Sequence, residues 1–176
     1  MVSPIYLIVV TLGAAFLLGL LNERRTGLAH LVTLIALATA SLISFCWLWN
    51  LGMDGAQTAN IFTAGTAPPF AINLRVGLAE ASLLLIIHLT GLISAIYMKD
   101  MLERKGRRAM AVLLIAIMAL AGIVMTRDIF NLFVFFELVA ISTGGMVLLS
   151  DDERALSAGI KYLVIAQVIS ILLLIG

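Results

Sequence analysis

The chain has 176 residues, of which 62% are hydrophobic and 12% are charged, and its mean hydropathy is +1.16. Because soluble domains carry about 25% charged residues, this composition excludes an ordinary water-soluble protein. The formal net charge of +1 gives no electrostatic reason to bind nucleic acid. The single cysteine, Cys46, excludes an intrachain disulfide, and the two histidines, His30 and His88, are too far apart in sequence to predict a metal site. We expect no cofactor.

Six apolar segments approach the roughly 20 residues that a ~30 Å hydrocarbon core requires. They cover residues 4–21, 28–51, 78–98, 109–125, 129–149 and 156–176. Helices are predicted because lipid offers backbone N–H and C=O groups no hydrogen-bond partners. The predicted fold is therefore an all-α membrane protein of about six transmembrane helices, in a single domain over residues 1–176.

The joints between these segments predict an orientation in the membrane. The first segment has no positive charge before it and basic residues after it, so we predict an uncleaved first helix. Basic residues lie mostly in the first, third and fifth joints: Arg24, Arg25, Lys99, Arg104, Lys105, Arg107, Arg108 and Arg154. The second and fourth joints contain only Arg75 and Arg127. Since positive charge is enriched in cytoplasmic joints, we expect a multi-pass cell-membrane protein with its N-terminus outside.

The second joint, residues 52–77, is the one sizeable piece predicted outside the membrane. Gly65, Pro68 and Pro69 interrupt it, and residues 72–76 then alternate apolar and polar side chains. This alternation predicts a short strand, half of a hairpin over the outer face. Glu80, near the outer end of the third segment, is expected to be solvated.

Residues 100–108, in the third joint, form a cluster of charged side chains. We interpret this cluster as a solvated anchor of the membrane orientation that can also contact anionic lipid.

Glu137 is the most informative residue because it lies inside the apolar run 130–140. A carboxylate at mid-bilayer costs about 2.5–3.5 kcal/mol on insertion scales. Glu137 is predicted to be roughly 12 Å from the outer end of its helix, at about 1.5 Å per residue. It must therefore be protonated, paired or beside water. Two interpretations follow: a relay for ions or protons, or a carboxylic acid held in an interhelical hydrogen bond.

Lys161 and His88 are the other candidate relay residues. Lys161 is predicted about 7 Å inside the cytoplasmic face, and to differ in depth from Glu137 by roughly 10 Å, which a bridging water could help to span. Its alternative role is an interfacial anchor whose stem lies in the membrane. His88 sits mid-helix, where an imidazole could pass protons near neutral pH or simply be hydrogen-bonded within the bundle.

Residues 128–137, with sequence DIFNLFVFFE, and residues 158–162, AGIKY, resemble the antiporter-like membrane subunits. That family comprises subunits of Mrp-type multisubunit cation/proton antiporters, their relatives in membrane-bound hydrogenases, and the proton-pumping subunits of respiratory complex I. The resemblance implies that Glu137 matches a fifth-helix glutamate that moves protons together with a seventh-helix lysine. It also implies that Lys161 matches a basic position in the sixth helix. Pro68, Pro69 and Phe70 resemble the start of the family's outer hairpin.

The resemblance covers only the first six helices of a family that generally has fourteen. The seventh-helix lysine is outside this sequence, and Val76 stands where many members have a carboxylate before the third helix. Because the last segment reaches Gly176 without a polar flank, we expect either a fragment or a chain completed by a partner.

Two functions are therefore predicted from the sequence. The first is a proton or cation translocation subunit of a multisubunit membrane complex, with other membrane subunits, the lipid bilayer, H⁺ and possible Na⁺ as its partners. The alternative is a structural or assembly module that does not pump. Neither requires catalytic chemistry in this chain, although an ion-translocating oxidoreductase complex could contain it.

Overall fold

A computed structural model describes residues 2–22, 25–53, 58–62, 72–149 and 152–175. The elements follow one another along the chain as α1 (Ile5–Leu20), α2 (Thr26–Met53), β1 (Ala59–Phe62), β2 (Asn73–Val76), α3 (Leu78–Tyr97), α4 (Lys99–Lys105), α5 (Arg107–Met125), α6 (Ile129–Leu148) and α7 (Glu153–Ile175). Five of these helices, α2, α3, α5, α6 and α7, are long and apolar enough to cross a membrane. The prediction of an all-α membrane protein is confirmed.

The first predicted span is shorter than the other five. Helix α1 is apolar but has 16 residues, or roughly 24 Å at about 1.5 Å per residue. Pro4 occupies its N-cap, and Leu21 has an extended backbone that ends the helix. Because proline lacks an N–H group, it is well suited to a helix start. The helix therefore begins and ends one residue inside each limit of the predicted segment.

Helix α5 is the centre of the bundle. It packs against α1, α2, α3, α4 and α6. Its buried side chains include several small residues that allow neighbouring helices to approach closely: Ala109, Ala116, Ala119, Ala121 and Gly122. Helix α7, by contrast, packs mainly against α6, and most of its side chains are exposed within the described part of the chain.

The predicted hairpin between the second and third spans is confirmed, although Gly65, Pro68, Pro69 and Phe70 lie outside the described residues. Strands β1 and β2 are antiparallel, with Ala59 opposite Val76 and Phe62 opposite Asn73. The turn between α5 and α6 attaches to the same sheet, because Thr126 forms a β-bridge with Leu74. The hairpin is thus joined directly to the start of α6.

The charged joint before α5 differs from the expectation of a simple solvated cluster. Residues Lys99–Lys105 form the short helix α4, and Leu102 in its middle is buried. Gly106 then takes a positive φ of 80°, a conformation that favours glycine, and separates α4 from α5. Arg107 Nη1 donates a hydrogen bond of 3.1 Å to the carbonyl of Leu18 at the end of α1. A cation there also complements the negative end of the helix dipole.

Candidate functional site

Glu137 lies on α6 and contacts α7. Its side chain is half-buried, and Oε2 accepts a hydrogen bond from the Gln167 amide. The other oxygen, Oε1, is buried and has no hydrogen-bond partner among the described residues. Buried polar atoms usually have partners, because an unsatisfied one costs about 1–3 kcal/mol and more when charged. Oε1 is therefore an atom whose hydrogen-bonding capacity is not satisfied by the described residues.

The start of α6, which positions Glu137, is fixed by local polar contacts. Asp128 is the N-cap, and its side chain accepts a hydrogen bond of 2.8 Å from the Phe130 N–H. Asn131 Nδ2 donates to Thr126 Oγ1 over 3.0 Å. Since Glu137 is about two turns further along, these contacts determine which face of α6 it occupies.

The interface between α6 and α7 combines close packing with a second polar contact. The hydroxyl oxygens of Thr143 and Tyr162 are 2.8 Å apart. A Cβ atom built on Gly144 would lie 2.4 Å from Leu163 Cδ2, and one on Gly159 would lie 2.8 Å from Leu148 Cδ2. Alanine at either position would therefore force the facing leucine side chain or the helix to shift. This close approach brings the Gln167 amide to Glu137.

Lys161 does not contact Glu137 directly. Its side chain is exposed, and it forms no ion pair with any residue that the structure describes. Gln167 follows Lys161 by six residues, which corresponds to about 9 Å along a helix and a rotation of roughly 120°. Because Gln167 is level with Glu137, Lys161 lies about two turns away on a different face of α7.

His88 is fully buried at the interface between α3 and α2. Its Nδ1 atom is 2.9 Å from Ser44 Oγ. Its Nε2 atom is buried and has no hydrogen-bond partner among the described residues. Like Glu137, His88 therefore has one polar atom bonded to a neighbouring helix and one buried polar atom without a partner among the described residues.

The three predicted relay residues do not form one cluster. His88 belongs to the α2–α3 interface and Glu137 to the α6–α7 interface, while α5 packs against both α3 and α6. Where α5 meets α6, the buried contacts are apolar and include Met118, Ala119 and Phe135. A Cβ on Gly122 of α5 would be 2.2 Å from Phe135 Cε1, so this contact is tight.

Glu80 is only partly solvated, and it has specific partners that the sequence did not predict. Its side chain is 16% exposed and forms an ion pair with Arg127. Its Oε2 also accepts a hydrogen bond of 2.8 Å from the Gly77 N–H, which caps α3. The carboxylate is retained near the membrane surface because it satisfies a free N–H of the helix start and a guanidinium.

Sequence reasoning missed two residues that hold the candidate side chains. Gln167 and Ser44 are polar residues within apolar helices. A polar residue in such a helix is the sequence feature that could have identified them. A polar side chain in a membrane helix usually bonds across to a neighbouring helix. The sequence could not say which neighbour each one meets.

These features define a multi-pass α-helical membrane protein with a carboxylic acid inside one membrane-spanning helix. Among the residues described, no group of His, Cys, Asp and Glu side chains could hold a metal ion.

Comparison with known proteins identifies relatives with this architecture. A family model described as "NADH dehydrogenase I, subunit N related protein" matches residues 95–176, which include Glu137, Lys161 and Gln167. An uncharacterised protein of Methanocaldococcus jannaschii is 29% identical over 172 residues, which are 97% of this chain and 34% of that protein. A D-type subunit of a probable K⁺/H⁺ antiporter from Rhizobium meliloti is 26% identical over 173 residues, or 96% of this chain and 32% of the relative.

Similarity extends to a solved structure, that of the membrane-bound sulfane sulfur reductase, an archaeal respiratory membrane complex. One chain of that complex superposes with a TM-score of 0.84 and 25% identity, over 95% of this chain and 34% of the other. The chain thus spans about a third of the length of the relatives that it matches. The resemblance to the antiporter-like membrane subunits is confirmed.

Proposed function

We propose that this chain acts in proton and cation translocation within a multisubunit complex of the cell membrane, with Glu137 holding the transferred proton. The observation that supports the proposal is the hydrogen bonding of the two oxygens of the Glu137 carboxyl group. One oxygen is fixed by Gln167, and the buried Oε1 has no partner among the described residues. The named relatives support the class of function, since they include one component of an antiporter and one chain of a respiratory membrane complex.

In this proposal, Gln167 keeps the carboxyl group oriented while the proton is gained and lost at Oε1. The amide N–H can donate to Oε2 whether Glu137 is ionised or protonated. The orientation of the carboxyl group therefore survives both states. A fixed acceptor lowers the reorganisation needed for each transfer.

Lys161 and His88 have separate roles in the same proposal. Lys161 supplies a positive charge on the face of α7 turned away from Glu137. It therefore acts on the carboxylate by long-range electrostatic attraction or through bridging water molecules. His88 is a second buried group that can exchange a proton, at Nε2, in the α2–α3 interface. The transported cation, H⁺ alone or together with a monovalent metal ion, defines the substrate class.

A structural role is the alternative function. The Glu137–Gln167 hydrogen bond also ties α7 to α6, the helix against which α7 chiefly packs. Under this alternative, the chain tethers other membrane subunits, and Glu137 stays protonated throughout. The two functions differ in what happens when the carboxylate is replaced by its amide isostere.

The test is Glu137→Gln, introduced into the complete complex in inverted membrane vesicles. We expect proton-coupled cation transport, followed by a pH-sensitive dye after addition of NaCl or KCl, to fall at least tenfold because an amide cannot bind and release a proton. Asp100→Asn is the matched control, since it makes the same change in the exposed helix α4. Native gel electrophoresis checks that both variants assemble. Unchanged transport in the assembled Glu137→Gln complex would establish the structural role instead.

A further inference from the structure

A basic cavity lies at one end of the bundle, where α4 meets the start of α5. It has a volume of about 320 Å³. Four cationic side chains and one carboxylate line it, together with a hydroxyl group from the start of α2: Arg104, Lys105, Arg107, Arg108, Glu103 and Thr26. Among these lining residues, cationic side chains therefore outnumber carboxylates by four to one.

We propose that the basic cavity binds the phosphate group of an anionic phospholipid. Arginine and lysine side chains bind phosphate oxygens through charge-assisted hydrogen bonds. A threonine hydroxyl can add a further donor. The cationic residues are the ones that the sequence placed in the most basic joint of the chain, and the proton-relay proposal does not use them.

The position of the basic cavity favours a lipid over a soluble anion. It lies where the two candidate spans α3 and α5 end, which is the level of the lipid headgroups. Tyr97, the last residue of α3, is 89% exposed, and Ile96 beside it is 57% exposed. Tyrosine is enriched at membrane interfaces, and the neighbouring apolar surface can receive an acyl chain. The phosphate group of a lipid is therefore already at the level of the cavity in the membrane.

The cationic side chains differ in their solvent exposure and in their contacts with the rest of the chain. Arg107 bonds the carbonyl of Leu18, so it holds α1 in place. Arg104 and Arg108 are exposed at the rim. Arg104 has only a long contact of 3.4 Å to the Asp100 carbonyl and no ion pair with a described carboxylate. Because Arg104 and Arg108 are exposed and Arg107 is half-buried, we replace Arg104 and Arg108 to test binding.

The experiment uses the purified full chain in nanodiscs that contain phosphatidylglycerol and phosphatidylcholine. The retained lipids are counted by native mass spectrometry. Arg104→Gln/Arg108→Gln is compared with Lys99→Gln/Arg154→Gln, which removes two exposed charges predicted on the same membrane face but outside the cavity. We expect the preference for phosphatidylglycerol to fall at least fivefold in the first double variant relative to the second. Arg104→Lys/Arg108→Lys should retain most of that preference, because both charges remain.

Two results would overturn the proposal. An equal loss in the two glutamine double variants would mean that the charges act only as a diffuse surface field. Displacement of phosphatidylglycerol by millimolar inorganic phosphate would assign the basic cavity to a soluble anion. Thermal unfolding of each variant in the same nanodiscs confirms that the comparison is made between folded chains.

Discussion

At the scale of single residues, Glu137 and His88 share one arrangement. Each side chain has one polar atom bonded to a neighbouring helix and a second buried atom without a partner among the described residues. Fully satisfied polar groups in a membrane bundle lock helices together. A half-satisfied group still links the helices but leaves one buried polar atom without a partner. The pair Gln167 and Ser44 supplies the fixed half of each arrangement.

Ser44→Ala tests how much the His88 contact stabilises the α2–α3 interface. The variant removes the hydroxyl that His88 Nδ1 contacts across the interface, so we expect the free energy of unfolding to fall by about 1 kcal/mol. Ser41→Ala is the control, because the Ser41 hydroxyl donates only to the Leu37 carbonyl of its own helix. SDS titration of the purified chain measures both. Equal effects in the two variants would show that His88 does not depend on Ser44.

At the scale of helices, glycine decides how closely α6 and α7 approach. Gly144 and Gly145 are adjacent, yet they face different neighbours. A Cβ on Gly144 would be 2.4 Å from Leu163 Cδ2, whereas one on Gly145 would be 3.7 Å from Val112 Cγ1, an ordinary contact. A methyl group at position 144 would therefore collide with Leu163 of α7, whereas position 145 has room for one.

Gly144→Ala and Gly145→Ala form a matched pair for testing this packing. We expect Gly144→Ala to destabilise the chain by about 1–3 kcal/mol, because Leu163 or the helix must shift. Gly145→Ala should change stability by less than about 1 kcal/mol. Thermal unfolding in detergent measures the difference. Adding Leu163→Ala to the Gly144→Ala variant should recover part of the loss, and no recovery would argue against this contact as its cause.

At the scale of the whole molecule, the bundle is asymmetric. Helix α5 lies at its centre, and α7 lies at one edge, where it packs chiefly against α6. The β-hairpin and the α5–α6 turn form one end of the bundle, and the basic cavity forms part of the other. The two ends therefore differ in charge and in structure, and this difference is the basis of the predicted orientation.

The predicted orientation can be tested by cysteine labelling in intact cells. Cys46→Ser removes the one native cysteine, and Asn60→Cys in β1 or Lys99→Cys in α4 then introduces a single exposed thiol. We expect an impermeant maleimide to label position 60 from outside and position 99 only after the cells are opened. The reverse pattern would place the basic joints outside and contradict the charge distribution as its determinant.

The sequence predicted most of the fold because hydropathy alone marks membrane helices. Two features were not predicted: charged residues concealed the short helix α4, and the ion pair of Glu80 joins it to Arg127, which is distant in sequence. Glu137 could be chosen as a candidate from the sequence because placing a carboxylate in the hydrocarbon core costs free energy. Its partner could not, because six residues along α7 separate the conspicuous Lys161 from Gln167, which makes the contact. Pairing between helices depends on their rotation, which composition does not record.

The hydrogen bond between Glu137 and Gln167 couples the charge of a side chain on α6 to the position of α7. The two can therefore be treated in one thermodynamic cycle. Because α7 packs chiefly against α6, any displacement of α7 must alter this bond. If protonation of Glu137 changes the equilibrium between two positions of α7 by some factor, displacing α7 must change the proton affinity of Glu137 by the same factor. A partner that pushes on the exposed face of α7 would then load or release a proton without touching the carboxyl group.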